Sequence, residues 1–222
     1  MTAVRGFEDD TIVQRALSAL DDSHGWRVTI DKRIPVSAGL AGGSSDAATA
    51  LRLANSQLPK PLTQKRLHAI AALTGADVPF FLADGPQLGS GAGTVLEPLD
   101  LPQDFAVLLF LPAAATKGST AAVYAAFDAR NGAEGFDARA SRLREALASV
   151  RRPRDLAALP ANDLASSPFA ERLLELGAFR ADVSGAGPTV YGLFHDRAAA
   201  DAARRALRRL GRGIVTVPAW YG

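Results

Sequence analysis

Apolar residues near the start of the chain recur first with helical and then with strand-like spacing. One set fits the face of a helix: Ile12, Val13, Ala16, Leu17 and Leu20. We predict a helix here, with Asp9 or Asp10 as its amino-terminal cap. From Trp26 to Lys32 apolar and polar residues alternate, which predicts a half-buried strand.

A glycine-rich segment and two further helices follow. Residues 35–43 contain three glycines and predict a loop, whereas residues 44–55 are rich in helix formers. Residues 63–73 carry apolar side chains on one helical face, and we expect Gly75 to end that helix. The expected order is therefore helix, strand, glycine loop, helix and helix.

Near Leu101 the sequence of predicted elements is interrupted by a short connector between two prolines, and we place a domain boundary there. Beyond it, helices are predicted at residues 119–127, 139–150, 168–176 and 197–210. Strands are predicted at residues 104–111, on each side of the segment 185–187, and at residues 213–220. We therefore expect an α+β protein with two domains, residues 1–101 and residues 102–222.

Composition narrows the class of protein. Hydrophobic residues make up 48% and charged residues 22% of the 222 residues, and the formal net charge is +2, which is ordinary for a globular chain. A net charge this small does not give the positively charged surface that nucleic acids require, so we expect no nucleic-acid partner. There is no cysteine and no apolar run of membrane-spanning length, so we expect a cytoplasmic protein without a membrane partner.

The glycine loop joins the predicted strand to the predicted helix, and it is the first candidate for a ligand-binding site. Its residues are Pro35, Val36, Ser37, Ala38, Gly39, Leu40, Ala41, Gly42, Gly43, Ser44 and Ser45. Glycines allow close approach of the backbone to an anion, and the first N–H groups of a helix attract phosphate. The hydroxyls of Ser44 and Ser45 are suited to phosphate oxygens or to Mg²⁺, with Asp46 as support for that ion.

Two familiar nucleotide loops do not fit this segment. No lysine follows the glycines as a Walker loop requires, and the G-x-G-x-x-G spacing of a dinucleotide-binding turn is absent. From the residues alone, two interpretations stay open: a loop that binds polyphosphate, or a glycine-rich turn capped by serine.

Three other segments are candidates for a site. Asp77 comes just after a helix end, and Pro79 biases the preceding residue toward extended geometry, so the carboxylate is either a general base or part of a turn. The glycines of residues 184–187 lie between two strand-like runs and predict a tight hairpin. Residues 89–93 read as a flexible tether.

Together, these motifs resemble the GHMP kinase family, whose phosphate loop reads Pro-x-x-x-Gly-Leu-x-x-Ser-Ser. The doubled glycine and Ser-Ser-Asp-Ala-Ala ending are similar to the branch that acts on a cytidine-diphosphate-linked sugar alcohol. The resemblance implies a two-domain GHMP kinase fold: an incomplete part like domain 2 of ribosomal protein S5, then a ferredoxin-like domain. The first domain would bind ATP.

The resemblance also implies roles for residues. Asp77 would be the catalytic base, residues 35–45 would bind ATP, and Ser45 would bind Mg²⁺. Residues 89–93 would form a loop on the substrate side. The substrate-binding residues would be Tyr124, Ser184, Gly185, Ala186 and Gly187, with Tyr124 stacked on cytosine. Ala186 stands where the family more often has serine.

The implied activity is ATP-dependent phosphorylation of a hydroxyl of that sugar alcohol, in the non-mevalonate isoprenoid route. Relatives carry a further amino-terminal stretch with a lysine and a Gly-Tyr-His string. This sequence has neither that stretch nor a Gly-Tyr-His string, so we expect a chain truncated at its amino terminus, without its first strands. An inactive nucleotide-binding relative and another GHMP small-molecule kinase stay open as alternatives. The sequence does not specify an oligomeric state.

Overall fold

A computed structural model describes residues 11–21, 23, 25–114 and 120–218. The chain divides into two compact units. The first runs up to Val36 and resumes at Ala41–Asp100, and the second combines Ser37–Leu40 with the chain from Leu101 onward. The predicted domains 1–101 and 102–222 stay predictions.

The first unit is built on three helices: α1 (Ile12–Leu20), α2 (Gly42–Gln57) and α3 (Gln64–Thr74). Thr11 caps α1, because its hydroxyl accepts the N–H of Gln14 while the Gln14 side chain accepts the N–H of Thr11. The predicted caps, Asp9 and Asp10, lie outside the described residues. A 3-10 helix (Pro79–Leu82) and a hairpin of β1 (Gln87–Ser90) and β2 (Val95–Pro98) complete the unit.

The core of this unit lies between the helices. Its buried members on α1 and α2 are Val13, Ala16, Leu17, Leu20, Ala47, Ala48, Ala50, Leu51 and Ala54. The alanines of α2 have little side-chain volume, so α1 packs closely on it. The apolar spacing that predicted α1 is thus the spacing of its buried face.

The strand predicted for residues 26–32 is wrong. Trp26, Val28 and Ile30 are half-buried against the helical core while Arg27 and Thr29 are exposed, so the alternation is real. Within the described ranges, however, no strand pairs with this segment. Alternation reports which side of a segment is buried, whereas a strand also needs a hydrogen-bonded neighbour.

The tether predicted for residues 89–93 is also wrong. Gly89 and Ser90 end β1, residues 91–94 form a turn, and β2 follows directly. Gly89 pairs with Leu96 in the antiparallel ladder. The Nε2 atom of His68 on α3 lies 2.9 Å from the carbonyl oxygen of Thr94, which fixes the turn to the helix.

The second unit follows a β-α-β-β-α-β course with added helices. Its elements are β3 (Ala106–Pro112), α4 (Thr120–Ala129), α5 (Phe136–Ser149), a 3-10 helix (Pro153–Ala158), α6 (Pro168–Glu175), β4 (Arg180–Val183), β5 (Val190–Phe194), α7 (Arg197–Leu207) and β6 (Gly211–Thr216). The sheet order is β4-β5-β3-β6, and every pair is antiparallel. This is the ferredoxin-like topology, so that prediction is confirmed.

The sheet has a core on each face. On β3, Ala106, Leu108 and Phe110 are buried in a cluster with Leu173 of α6 and Leu207 of α7. Val107 faces the other way, against a cluster that contains Val150, Leu156 and Leu193. Both faces are covered, which explains why residues 104–111 form a nearly continuous apolar run.

The 3-10 helix of this unit is fixed by the carboxylate of Asp155, which accepts the N–H groups of Arg151 and Arg152 at 3.0 and 2.9 Å. These two hydrogen bonds hold the pKa of Asp155 below its ordinary value of 3.8. Because the folded-state pKa is lowered, the stabilisation is present above that ordinary value and is lost as the pH falls through the lowered pKa.

A buried hydroxyl beside β5 supplies a stability prediction. The Thr189 side chain is 1% exposed, and in the described part of the chain its Oγ1 has no hydrogen-bond partner. Replacing Thr189 with valine keeps the shape and removes an unsatisfied polar group, so we expect about 1 kcal/mol more stability in urea denaturation. The neighbouring Val190→Thr change buries a new hydroxyl and should destabilise the protein. A loss of stability in Thr189→Val would contradict this account.

Candidate active site

The glycine loop ends at a helix that has no side-chain cap. Ala41, the residue before α2, has a φ of 48° and makes no capping hydrogen bond through its side chain. The first backbone bond of the helix runs from the N–H of Ser45 to the carbonyl of Ala41, at 3.0 Å. The N–H groups of the first helical residues before Ser45 are therefore available to an anion, which would lie at the positive end of the helix dipole.

Three residues of this loop have positive φ at alternate positions: Ser37 at 57°, Gly39 at 76° and Ala41 at 48°. Such alternation turns successive backbone N–H groups toward a common side, as in anion-binding nests. Two of the three are not glycine, and positive φ in such residues costs free energy. The strained backbone is thus concentrated in the segment that sequence predicted to bind phosphate.

The helix predicted from residue 44 begins two residues earlier, at Gly42. A Cβ atom on Gly42 would lie 2.9 Å from Ile34 and 3.4 Å from Nζ of Lys32. The side chain of Lys32 is therefore at the start of α2. This residue was missed by sequence reasoning, because it precedes the glycines instead of following them.

Lys32 forms an ion pair with Asp46 of α2. The two side chains are 28% and 29% exposed, so solvent reaches both partners. The pair places a positive charge near the uncapped N–H groups and occupies the carboxylate that was expected to support Mg²⁺. In the part of the chain that the structure covers, no three His, Asp or Glu side chains cluster as metal ligands.

Asp77 lies in the turn that follows α3 and is exposed. The next two residues, Val78 and Pro79, are both buried, and the N–H of Val78 donates to the carbonyl of Gly75 at 3.1 Å. The turn is thus anchored by its apolar half while the carboxylate faces solvent. Among the described residues, the Asp77 carboxylate has no hydrogen-bond or ion-pair partner.

The carboxy-terminal glycine loop, residues 184–189, connects β4 to β5. Val183 pairs with Val190 across the ladder, so the predicted hairpin is confirmed. Gly185 and Gly187 have φ values of 57° and 73°. The N–H of Gly187 donates to the carbonyl of Ser184 at 2.9 Å, which closes the turn.

The second unit brings this loop together with residues 37–40 of the first glycine loop (residues 35–45, here called the phosphate loop). The hydroxyl of Ser184 donates to the carbonyl of Gly39 at 2.7 Å, and the N–H of Thr189 donates to the carbonyl of Ala38 at 3.1 Å. Two motifs 145 residues apart in sequence are therefore in contact. Tyr124 lies elsewhere in this unit, on α4, with its side chain 53% exposed.

Family models match both parts of the chain. The model described as GHMP kinases N terminal domain covers residues 11–85, and the model described as GHMP kinases C terminal covers residues 164–213. The chain belongs to the GHMP kinase family. No described helix has the length and apolar character needed to cross a membrane.

Within that family, curated relatives named 4-diphosphocytidyl-2-C-methyl-D-erythritol kinase are similar to this chain. The relative from Chlorobium phaeobacteroides (strain BS1) is 36% identical over 90% of this chain and 73% of its own length. Those from Gloeobacter violaceus and Synechococcus sp. (strain JA-3-3Ab) are 39% and 40% identical over 80% and 82% of this chain. The matches span 62% and 63% of these two relatives, less than two thirds of their length.

Solved structures share the fold. A crystal structure of 4-(cytidine 5'-diphospho)-2C-methyl-D-erythritol kinase matches with a TM-score of 0.74 and 29% identity, over 97% of this chain and 80% of that one. Homoserine kinase from Cytophaga hutchinsonii matches with a TM-score of 0.73 at 18% identity, over 99% of this chain and 80% of that one. The second likeness shows the fold alone, and together they confirm the predicted α+β GHMP kinase fold.

Proposed function

We propose that this chain transfers the γ-phosphoryl group of ATP to a hydroxyl of 4-diphosphocytidyl-2-C-methyl-D-erythritol, a step of non-mevalonate isoprenoid biosynthesis. The observation that carries the proposal is the uncapped start of α2 behind a loop of alternating positive φ. The names and identities of the curated relatives support the choice of substrate. ATP is a cytoplasmic metabolite, and we place the activity there.

In this mechanism the phosphates of ATP lie against residues 35–45, where backbone N–H groups and the hydroxyls of Ser44 and Ser45 donate to their oxygens. Ser45 is half-buried in the first turn of α2, and a hydroxyl oxygen in that place suits Mg²⁺. The ion, when bound, would neutralise charge on the transferring phosphoryl group.

Asp77 would act at the acceptor. Its carboxylate takes the proton of the substrate hydroxyl as that oxygen bonds to the γ-phosphorus, and the bond to the bridging oxygen breaks to release ADP. Ser184, Gly185, Ala186 and Gly187 would line the substrate through their backbone, and Tyr124 would stack on the cytosine ring. The exposed ring of Tyr124 is accessible for such stacking.

A coupled assay of ADP release tests the proposal. The purified 222-residue chain is supplied with ATP, Mg²⁺ and the cytidine-linked substrate, with homoserine and mevalonate in parallel reactions. Turnover with the cytidine-linked substrate alone is the expected result. Turnover with homoserine or mevalonate would exclude the cytidine-linked compound as the specific acceptor. ATP binding without turnover of any acceptor would instead identify a nucleotide-binding relative without kinase activity.

Lys32 supplies a prediction for the nucleotide. Since its ammonium group lies at the start of α2, we expect Lys32→Met to raise the KM for ATP about tenfold, the effect of losing one hydrogen bond to a charged group. Lys60 is exposed beyond the end of α2, so Lys60→Met is a control of equal charge change. Equal KM values for ATP in the two variants would show that Lys32 serves only its ion pair with Asp46.

A further inference from the structure

The side chain of Asn162 holds the backbone on both sides of Ser184. Its Nδ2 donates to the carbonyl of Val183 at 3.0 Å and to the carbonyl of Gly185 at 2.7 Å. Its Oδ1 accepts the N–H of Leu164 at 2.8 Å. Both amide donors and the amide acceptor are therefore used, which fixes the position of the carboxy-terminal glycine loop.

Two charged residues, buried Asp182 and half-buried Arg180, hold Asn162 in turn. The carboxylate of Asp182 accepts the backbone N–H of Asn162 and that of Val183, both at 2.8 Å. Asp182 is 8% exposed and also pairs with the guanidinium of Arg180, at 3.5 Å. Arg180 makes four other hydrogen bonds, to the Tyr191 hydroxyl and to the carbonyls of Leu156, Leu159 and Pro160. Because nearly every donor and acceptor of this partly buried network is used, we expect the network to be rigid.

The network reaches the phosphate loop through Ser184 and Thr189. These residues donate to the carbonyls of Gly39 and Ala38. In a trans peptide the N–H points away from the carbonyl of the same peptide unit. Holding the two carbonyls toward the carboxy-terminal glycine loop therefore turns the N–H groups of Gly39 and Leu40 to the opposite side. Within the described residues, neither N–H has an acceptor.

We propose that Ser184 and Asn162 are positioning residues that orient the N–H groups of Gly39 and Leu40 toward the phosphates of ATP. The inference rests on the proposed kinase function and deepens it. It gives the side chain of Asn162 a role, and it directs the hydroxyl of Ser184 to the loop instead of the acceptor substrate. Asn162 acts only through Ser184 and the residues beside it.

Kinetics of Ser184 variants provide the first test. We expect Ser184→Ala to raise the KM for ATP about tenfold, since one hydrogen bond to the loop is lost. The KM for the cytidine-linked substrate should stay unchanged, and Ser184→Thr should restore the KM for ATP because it restores a hydroxyl. An increase confined to the cytidine-linked substrate would overturn the inference and make Ser184 a substrate ligand.

Asn162→Asp provides the second test, because it replaces the donor to Val183 and Gly185 with a carboxylate oxygen while keeping the acceptor for Leu164. A matched control is available in Asn55, whose Nδ2 and Oδ1 bridge the backbone of Leu62 at 3.2 and 2.7 Å in the first unit. Both variants should lower the Tm. Only Asn162→Asp should raise the KM for ATP, and equal ATP kinetics in the two would overturn the proposal.

Amide hydrogen exchange separates this inference from the proposed function. The N–H of Thr189, which donates to Ala38, should be protected in the wild type and in Asn55→Asp, and should exchange faster in Ser184→Ala and Asn162→Asp. Unchanged protection in those two variants would overturn the inference whatever the activity. Absence of ATP binding by the wild type would count against the proposed function, and the Thr189 amide would still report whether the network holds the loop.

Discussion

Replacement of Asp77 with asparagine should slow phosphoryl transfer strongly and leave ATP binding intact. The change keeps the shape of the side chain, and it removes the negative charge and with it the ability to accept a proton. A general base accelerates a reaction by about 10²–10⁴-fold, so we expect the kcat of this variant to be lower by a factor of that size. The exposed carboxylate sits on a turn anchored by buried Val78 and Pro79, so folding should not suffer.

The control for this experiment is Asp84→Asn. Asp84 is an exposed acid just beyond the 3-10 helix that follows Asp77, so its replacement makes the same change of charge in the same unit. The measurement is kcat and the KM for ATP by coupled assay, together with ATP affinity by calorimetry. Wild-type kcat in Asp77→Asn would exclude Asp77 as the base, and weakened ATP affinity would assign it to the nucleotide instead.

Much of the site was predictable because its signals are local. Three glycines, two serines and a following run of helix formers predict a loop that leads into a helix start, and the structure has both. The turn at Asp77 is of the same kind, since it follows from the helix end and the proline after it, whereas the role of Asp77 as base came only from the resemblance. The roles of these residues stay predictions until the assays are done.

The parts that sequence missed depend on contacts across long separations. The pairing of Lys32 with Asp46 requires the loop between them to reverse direction, which composition does not specify. The bond from Ser184 to Gly39 joins residues 145 positions apart. The partners of Asn162, Val183 and Gly185, lie more than 20 residues later and are brought to it by the sheet. Local patterns do not encode such neighbours.

The wrong strand at residues 26–32 has a different cause. Its alternating side chains were interpreted as evidence of a sheet, whereas they show only that one side of the segment packs on α1, α2 and α3. The ferredoxin-like topology was implied by the family resemblance, whereas the residues alone predicted only an α+β protein. The apolar run at residues 104–111 was recognised as a strand because both of its faces are buried. Burial of a side chain can be predicted from the sequence pattern of its own segment. Strand pairing can be predicted only when the sequence also indicates the strand that is its partner.

Replacement of Gly39 with alanine should disrupt the phosphate loop. Its φ of 76° disfavours any side chain, and a Cβ atom would lie 2.5 Å from the carbonyl oxygen of Gly187 and 2.7 Å from that of Ser184. Both neighbours are backbone, so neither can rotate away. The loop must move, and the hydrogen bonds that Ser184 and Thr189 make to it are then lost.

We expect this variant to bind ATP at least about 100-fold more weakly, because backbone strain of 1–3 kcal/mol adds to the lost hydrogen bonds. Gly85→Ala separates the two causes: Gly85 has a φ of 73°, but nothing lies within 4 Å of its added Cβ. That variant should be destabilised by roughly 1–2 kcal/mol through its φ alone, with unchanged ATP affinity. If Gly39→Ala has the ATP affinity and the stability of Gly85→Ala, the strain of a positive φ accounts for the whole effect. The close packing of Gly39 against Gly187 then does not contribute to ATP binding.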